Sequence, residues 1–418
     1  MADIQPFHGV LYNTTRVRPA DVLTQPYDKI NSEMRERYLA ASPHNLIRIE
    51  LGKEESGDNE ASNKYTRAAA LYRQWMEQGI LRRSDKPALY WLEQTFTAPG
   101  STQKLTRTGL IAAVRLSRWD EGHVLPHEHT LSKPKADRMS LLRAVGAQQG
   151  QIFMLHPKTI PVPKLGAPLY SLVDDYNVTN TVWEITDTAQ IVAIQESLRP
   201  QTFYIADGHH RYETALAFRD ELNAGPNAPS AFVMATIVDM NDPGLVILPT
   251  HRTVANLRNF DLVQFRAQLA KTFAVETQPS LARLLSAMGA APHLIGMRDR
   301  EQFALLRPKN LDALKPLFVS KPPLWDTLDV AILHVAILEA LLGIDEKRLR
   351  EESNVTYWRE PEKALAQVQT SAADLAFFLT PTPVCDVKAV ADARSRMPQK
   401  STDFYPKLLS GMVMYEER

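Results

Sequence analysis

The residues richest in chemistry form one run: Phe203-Tyr204-Ile205-Ala206-Asp207-Gly208-His209-His210-Arg211-Tyr212-Glu213-Thr214-Ala215. Its apolar start reads as a strand that ends at Asp207-Gly208, and a helix begins within three residues. Asp207 is an N-cap residue type, and Gly208 permits close backbone approach. His209, His210 and Arg211 then occupy the first helical turn. That is the wrong sign for a helix end already carrying about half a positive charge. Three proton-donating or cationic side chains make sense there if an anion sits among them, with backbone N–H groups as co-ligands. Phosphate is the natural anion. The plainer alternative is a capped helix whose histidines pair with nearby carboxylates or carbonyls.

A second constellation is Pro126-His127-Glu128-His129-Thr130. A carboxylate close to a proline, in a segment biased to extended geometry, can present a rigid general base. Lys133, Lys135 and Arg138 follow and could neutralise a substrate phosphate. The same histidines permit a rival chemistry. His127 and His129, two apart on a strand, would share a face, and with Asp207, His209 or His210 they could build a divalent-metal hydrolase site. Magnesium held mainly through nucleotide phosphates is the preferred cation, with no dedicated protein metal site expected. A third group is the tail loop Gln399-Lys400-Ser401-Thr402 ahead of Tyr405-Pro406-Lys407, whose hydroxyls and lysines suit phosphate contact; a lysine near a helix C-terminus is equally favourable with the dipole. Asp28, Asn45 and Arg48 carry less weight, although Arg48 is placed among the substrate contacts.

These groups need elements to position them. Helical patterns cover Ser32–Ala41, Asn63–Gln78, Ala189–Leu198, Tyr212–Leu222, Leu262–Thr272, Leu281–Met288, Leu328–Leu342 and Val387–Arg396. Strand patterns cover Leu46–Leu51, Ala88–Phe96, Leu110–Leu116, Phe203–Ala206, Leu375–Leu379 and Met412–Tyr415. Phe232–Val238 and Val246–Leu248 flank the turn Asn241-Asp242-Pro243-Gly244 and read as a hairpin, with a second hairpin around Leu294–Leu306. A proline-rich connector runs from Pro157 to Tyr176. Strands and helices alternate throughout, which predicts an α/β fold with a mixed sheet. The expected division is an N-terminal α/β lobe over 1–258, holding the phosphate turn, and a helix-rich α/β lobe over 259–418 that lends a loop to the site.

Composition narrows the classes of function. The 48 Lys+Arg balance 48 Asp+Glu, so the net charge is zero. Bulk binding to nucleic acid or an anionic membrane wants a basic excess, and neither partner is expected. One cysteine, Cys385, rules out an internal disulfide framework and any multi-Cys metal cluster. The start MADIQPFHG carries no export signal pattern, and the most apolar stretch, Val330 to Ile344, is interrupted by His334 and Glu339. The expectation is a cytoplasmic protein.

Gly208, Arg211, Tyr212 and Ala215 match the Gly-x-x-Arg-x-x-x-Ala box of the ParB/sulfiredoxin-like superfamily. Further runs are more specific: Pro26-Tyr27-Asp28, His44-Asn45-Leu46-Ile47-Arg48, Leu125 to Thr130, Ala206 to Ala215, and Met397 to Thr402 before Phe404-Tyr405-Pro406-Lys407. Together they resemble the domain-of-unknown-function 1015 family over nearly the whole chain. That family is itself similar to the archaeal ADP-dependent free serine kinase, which shares the Asp-Gly-His-His-Arg type of turn. The resemblance implies a ParB/sulfiredoxin-like nucleotide-binding core with additional helical and α/β elements. It also implies phosphoryl transfer from ADP or ATP, with Mg²⁺, to the hydroxyl of a small metabolite, free L-serine being first among acceptors. Glu128, His210 and Asp207 are then expected in catalysis, Gly208, His209, Arg211, Lys400, Ser401 and Thr402 in nucleotide binding, and His127 and Arg48 in substrate binding. The catalytic Glu of the kinase precedes the box and follows a proline, and Glu128 is the match, at a longer separation from Asp207. Sulfiredoxin chemistry is excluded because His209 stands where its nucleophilic Cys belongs. DNA partitioning of the ParB kind lacks a helix-turn-helix and a basic surface here. A metal-dependent phosphohydrolase and a non-catalytic nucleotide-binding regulator are the alternative functions.

Overall fold

The computed structural model describes residues 3–129, 132–199, 201–223, 225–289, 291–351 and 353–417, with side chains left undescribed at 132–134 and 350. Thr130 and the Lys133 side chain, both singled out from the sequence, lie outside the described residues. The chain folds as two compact units. The first is Met1–Pro126, Thr130–Val246 and Phe404–Arg418; the second is His127–His129 with Ile247–Asp403. A linear division at 258/259 differs from this at both ends. Three residues from the first half join the second unit because the Met397 amide donates to the His127 carbonyl at 2.7 Å and Glu128 bridges Met397 in parallel.

A nine-stranded mixed sheet forms the first unit. Its path runs Val124–Leu125, Phe203–Asp207, Ile152–His156, Phe232–Asp239, Lys104–Arg115, Leu89–Thr97, Thr179–Ile185 and Tyr170–Val173, with Ile4–Gln5 alongside Lys104–Arg115. Phe203–Asp207 pairs parallel with Val124–Leu125 and antiparallel with Ile152–His156, which makes the mixed α/β class plain. Phe232–Asp239 is buried on both faces over its first seven residues, which explains its continuous apolar run. Rather than forming a hairpin with Val246–Leu248, it lies between Ile152–His156 and Lys104–Arg115. The intervening loop is tied elsewhere: the Asp242 carboxylate accepts from the Thr108 amide and hydroxyl and from the Gly244 amide.

The alternating segment Leu46–Leu51 is not a strand but contains the short helix Ile47–Glu50. The Asn45 side chain accepts from the Ile47 amide at 2.9 Å, and the Glu50 and Leu51 amides close helical bonds onto Leu46 and Ile47. The helix Lys64–Glu77 forms as expected, with Asn63 and Thr66 in a capping box. The expected tail strand is shorter, Tyr415–Glu416, and pairs with Ala147–Gln148. Within the proline-rich connector, Tyr170–Val173 is a strand paired with Thr179–Ile185.

The second unit is less helical than its sequence suggests. Six antiparallel strands run in the order Phe273–Gln278, Phe303–Pro308, Ile295–Arg298, Leu375–Phe378, His251–Val254 and Val355–Trp358. The helices Leu281–Met288 and Pro361–Gln369 pack on it through Leu284, Met288, Ala364 and Val368 against Leu305, Ala376 and Phe378. The apolar run after Leu328 starts as a helix at Asp329–Ile332 and widens to a π-helix over Leu333–Glu339. The helix expected at Val387–Arg396 spans Val384–Asp392.

Candidate functional site

In the first unit, strand Phe203–Asp207 passes directly into helix His209–Glu221 through Gly208. Gly208 has φ 94° and ψ 24°, a left-handed conformation that any side chain would strain. It occupies the N-cap position itself and supplies no side-chain cap, so the sequence assignment of Asp207 as cap is corrected. Instead, the Asp207 carboxylate accepts from the Lys407 ammonium at 2.7 Å. Tyr212, fully buried, fixes the helix start: its hydroxyl donates to the Ser117 carbonyl and accepts from the Ser117 amide, both at 2.9 Å. Its ring stacks on Trp119 at 4.8 Å.

Arg211 projects from the first helical turn onto the segment before strand Ile152–His156. Its Nη1 donates to the Gln151 carbonyl at 2.6 Å. A Cβ at Gly150 would lie 2.8 Å from that nitrogen, and one at Gly208 would lie 3.2 Å from Nη2. Two glycines therefore make room for one guanidinium. Nearby, the Glu50 side chain is 4% exposed; its Oε1 is 4.0 Å from Arg138 Nη1, and its Oε2 has no hydrogen-bond partner. Arg138 donates to the Glu50 carbonyl at 2.9 Å and lies over the Tyr27 ring at 4.3 Å. A narrow cavity of about 50 Å³ is lined by Glu50, Arg138, Gly150, Arg211 and Thr214 among apolar neighbours. A wider one of about 410 Å³ shares Glu50 and Arg138 and adds Arg35, Lys53 and Lys64.

The electrostatics divide the two carboxylates. Burial pushes the Asp207 carboxyl up, but Lys407, Arg211 and Lys29 outweigh it, and its pKa falls well below the usual range. Asp207 is therefore an anchor for Lys407 and a poor proton acceptor at neutral pH. Glu50 goes the other way: burial raises its pKa despite Arg138, Ser410 and Arg211. Burial also carries the Tyr27 hydroxyl up to about 12 against the opposing pull of Arg211. Glu50 was missed in the sequence because its alternating surroundings read as a half-buried strand. An acidic residue at the inner end of a buried helical turn was the available signal. Arg48, expected at the substrate, donates Nη2 to the Leu39 carbonyl at 2.8 Å and so braces the last turn of helix Ser32–Ala41. Lys135 pairs with Glu213 at 2.8 Å. His209 is buried at the turn and His210 is half-buried, its carbonyl accepting from the Thr214 hydroxyl.

The second unit brings together His127–His129 and the loop of Lys400, Ser401 and Thr402. His127 is fully buried, with Nε2 2.9 Å from the Thr402 hydroxyl. Glu128 Oε1 accepts from the Ser401 amide at 3.3 Å and the Thr402 hydroxyl at 3.4 Å. Two segments about 270 residues apart thus form one cluster, and Lys400 turns the loop with a left-handed φ of 57°. His127 bolts this loop in place. His129 is exposed while His127 is buried. Among the described residues no group of three His, Cys, Asp or Glu has the spacing to hold a metal ion. No described helix is long and apolar enough to cross a membrane.

No curated protein sequence matches the chain significantly. Among solved structures, a conserved hypothetical protein from Pyrococcus furiosus aligns at 12% identity over 72% of this chain and 94% of its own, with a TM-score of 0.37. A free serine kinase in complex with AMP aligns at 12% identity over 72% and 90%, TM-score 0.37, and a variant of that kinase in complex with ADP at 13% over 72% and 91%, TM-score 0.37. At these values the likeness assigns no activity to this chain. The sequence match is broader: the model of the family described as a protein of unknown function, DUF1015, covers residues 4–331, and the chain belongs to that family.

Proposed function

We propose that this protein binds a nucleotide through the Gly208–Arg211 turn and transfers a phosphoryl group from ADP or ATP to the hydroxyl of a small metabolite, free L-serine being the first candidate. One observation carries the phosphate assignment. A left-handed glycine without a side-chain cap opens a thirteen-residue helix whose first turn bears His209, His210 and Arg211. That combination would let the helix-end dipole, the backbone donors and the Arg211 guanidinium act together on one anion.

Phosphoryl transfer asks mainly for positioning and charge neutralisation. Arg211 and the first-turn amides would hold the donor phosphates, and Lys407, braced by Asp207, would add a second positive charge. Glu128 would orient or deprotonate the acceptor hydroxyl, with Lys400, Ser401 and Thr402 holding polar groups beside it. Mg²⁺ would be held mainly by the nucleotide phosphates and would offset charge on the transferred group. A cytoplasmic location fits this metabolic role.

The test is binding calorimetry with ADP and ATP on the wild type and Arg211→Ala. Charge-assisted contacts contribute roughly 1.5–3 kcal/mol, so affinity should fall about ten- to a hundredfold. Unchanged affinity would remove the turn from the binding site. Tight nucleotide binding without any turnover would favour the regulator over the kinase.

A further inference from the structure

The second unit holds a cavity of about 340 Å³, within the range of small-molecule sites, of whose lining the roles above use only Ser401. Arg252, on strand His251–Val254, lines it and is only 1% exposed. Its Nη1 donates to the Thr250 carbonyl and its Nη2 to the Lys400 carbonyl at 3.0 Å, while Nε has no partner. Among the described residues no carboxylate lies within ion-pair distance of this guanidinium. Its compensation within the protein is partial: the guanidinium lies over the Tyr357 ring at 5.4 Å and feels the Glu128 charge, but a buried cation with a donor left over stays costly unless something occupies the space it faces. Burial lowers its pKa to about 10, so it stays protonated at neutral pH.

Two carboxylates line the same cavity, Asp329 at the start of helix Asp329–Ile332 and Asp386 in the first turn of helix Val384–Asp392. Asp329 accepts from the His293 amide at 2.8 Å, and its Oδ1 lies 3.2 Å from His293 Nδ1. This mixture selects the chemistry. A phosphate would suit Arg252 but would also face two carboxylates. A metal ion would suit the carboxylates but would face a fixed guanidinium. We infer that this cavity binds a small zwitterion of the free α-amino acid type, its carboxylate at Arg252 and its ammonium at Asp329 and Asp386. Ser401 lines the cavity and also donates its amide to Glu128, which links the site to the carboxylate proposed to act on the acceptor hydroxyl. In that respect the inference rests on the kinase reading; the binding site itself does not.

The experiment is calorimetry on the full chain without nucleotide, using L-serine, lactate, ethanolamine and inorganic phosphate as probes. L-serine should bind, with lactate and ethanolamine at least tenfold weaker and phosphate weaker still. Arg252→Met should reduce L-serine affinity about ten- to a hundredfold, and Asp386→Asn should reduce it several-fold. Arg252→Lys, which keeps the charge but loses the forked geometry, serves if the Met variant does not fold, and should also bind L-serine at least several-fold more weakly. Absence of L-serine binding, equal affinity for lactate or phosphate, or unchanged affinity in the folded Arg252 variant would each overturn the inference. Nucleotide binding is read in the same samples. If ADP binds and L-serine does not, this site fails while the phosphate turn stands.

Discussion

At the scale of single residues, the first unit separates charges that anchor from charges that can change. Asp207 is held ionised by Lys407 and Arg211, so its pair contributes stability above the ordinary carboxyl value of 3.8, and that contribution is lost as pH falls through and below it. Urea midpoints should therefore drop on acidification below about pH 4, and the acid-dependent part of the drop should shrink in Lys407→Met. An equal drop in the variant would show that the pair does not govern the acid limb. Glu128 has the opposite kind of test. Glu128→Gln keeps the shape that accepts from Ser401 and Thr402 and removes the charge. Turnover should fall about 10²–10⁴-fold with nucleotide affinity unchanged, measured by phosphoryl-transfer rate and calorimetry on one preparation. The residue types of the turn were legible in the sequence because charge sign against helix polarity is a local property. The partners were not: nothing in the Asp207 neighbourhood names Lys407, 200 residues away, as the group that holds it.

At the scale of elements, the strand–glycine–helix junction depends on two glycines that serve one arginine. Gly208→Ala imposes a side chain at φ 94°, and Gly150→Ala puts a methyl 2.8 Å from Arg211 Nη1. Both should weaken ADP binding by displacing the guanidinium, and Gly208→Ala should cost about 1–2 kcal/mol of stability as well, read by calorimetry and denaturant titration. Tyr212→Phe would leave the Ser117 amide and carbonyl without their partner, at a cost of about 1–3 kcal/mol. A loss under half a kcal/mol would mean that the helix start is fixed by packing on Trp119 alone. Long periodic elements such as helix Lys64–Glu77 were readable from capping and spacing. Ile47–Glu50 was not, because one turn of helix and an alternating strand place the same few apolar residues inward. The expected hairpin after Asn241 failed for a different reason: Asp242 ties its loop to Thr108, a tertiary contact that turn chemistry cannot announce.

At the scale of the whole molecule, chain order and compact unit do not coincide. Residues 127–129 belong with the second unit and residues 404–418 with the first. The tail carries Lys407, the buried Met412, Val413 and Met414, and strand Tyr415–Glu416, so removing residues 404–418 should leave the first unit unable to fold cooperatively. A truncated chain with the full-length unfolding transition would contradict this. Such interleaving is invisible to composition or periodicity, whereas the α/β class followed directly from alternating patterns. The most direct test of the phosphate turn is a crystal structure of the protein soaked with ADP, Mg²⁺ and L-serine. The predicted result is a terminal phosphate within hydrogen-bond distance of the Arg211 guanidinium or of the first-turn amides of helix His209–Glu221. Nucleotide density elsewhere on the protein, with that turn empty at saturating ADP, would contradict it.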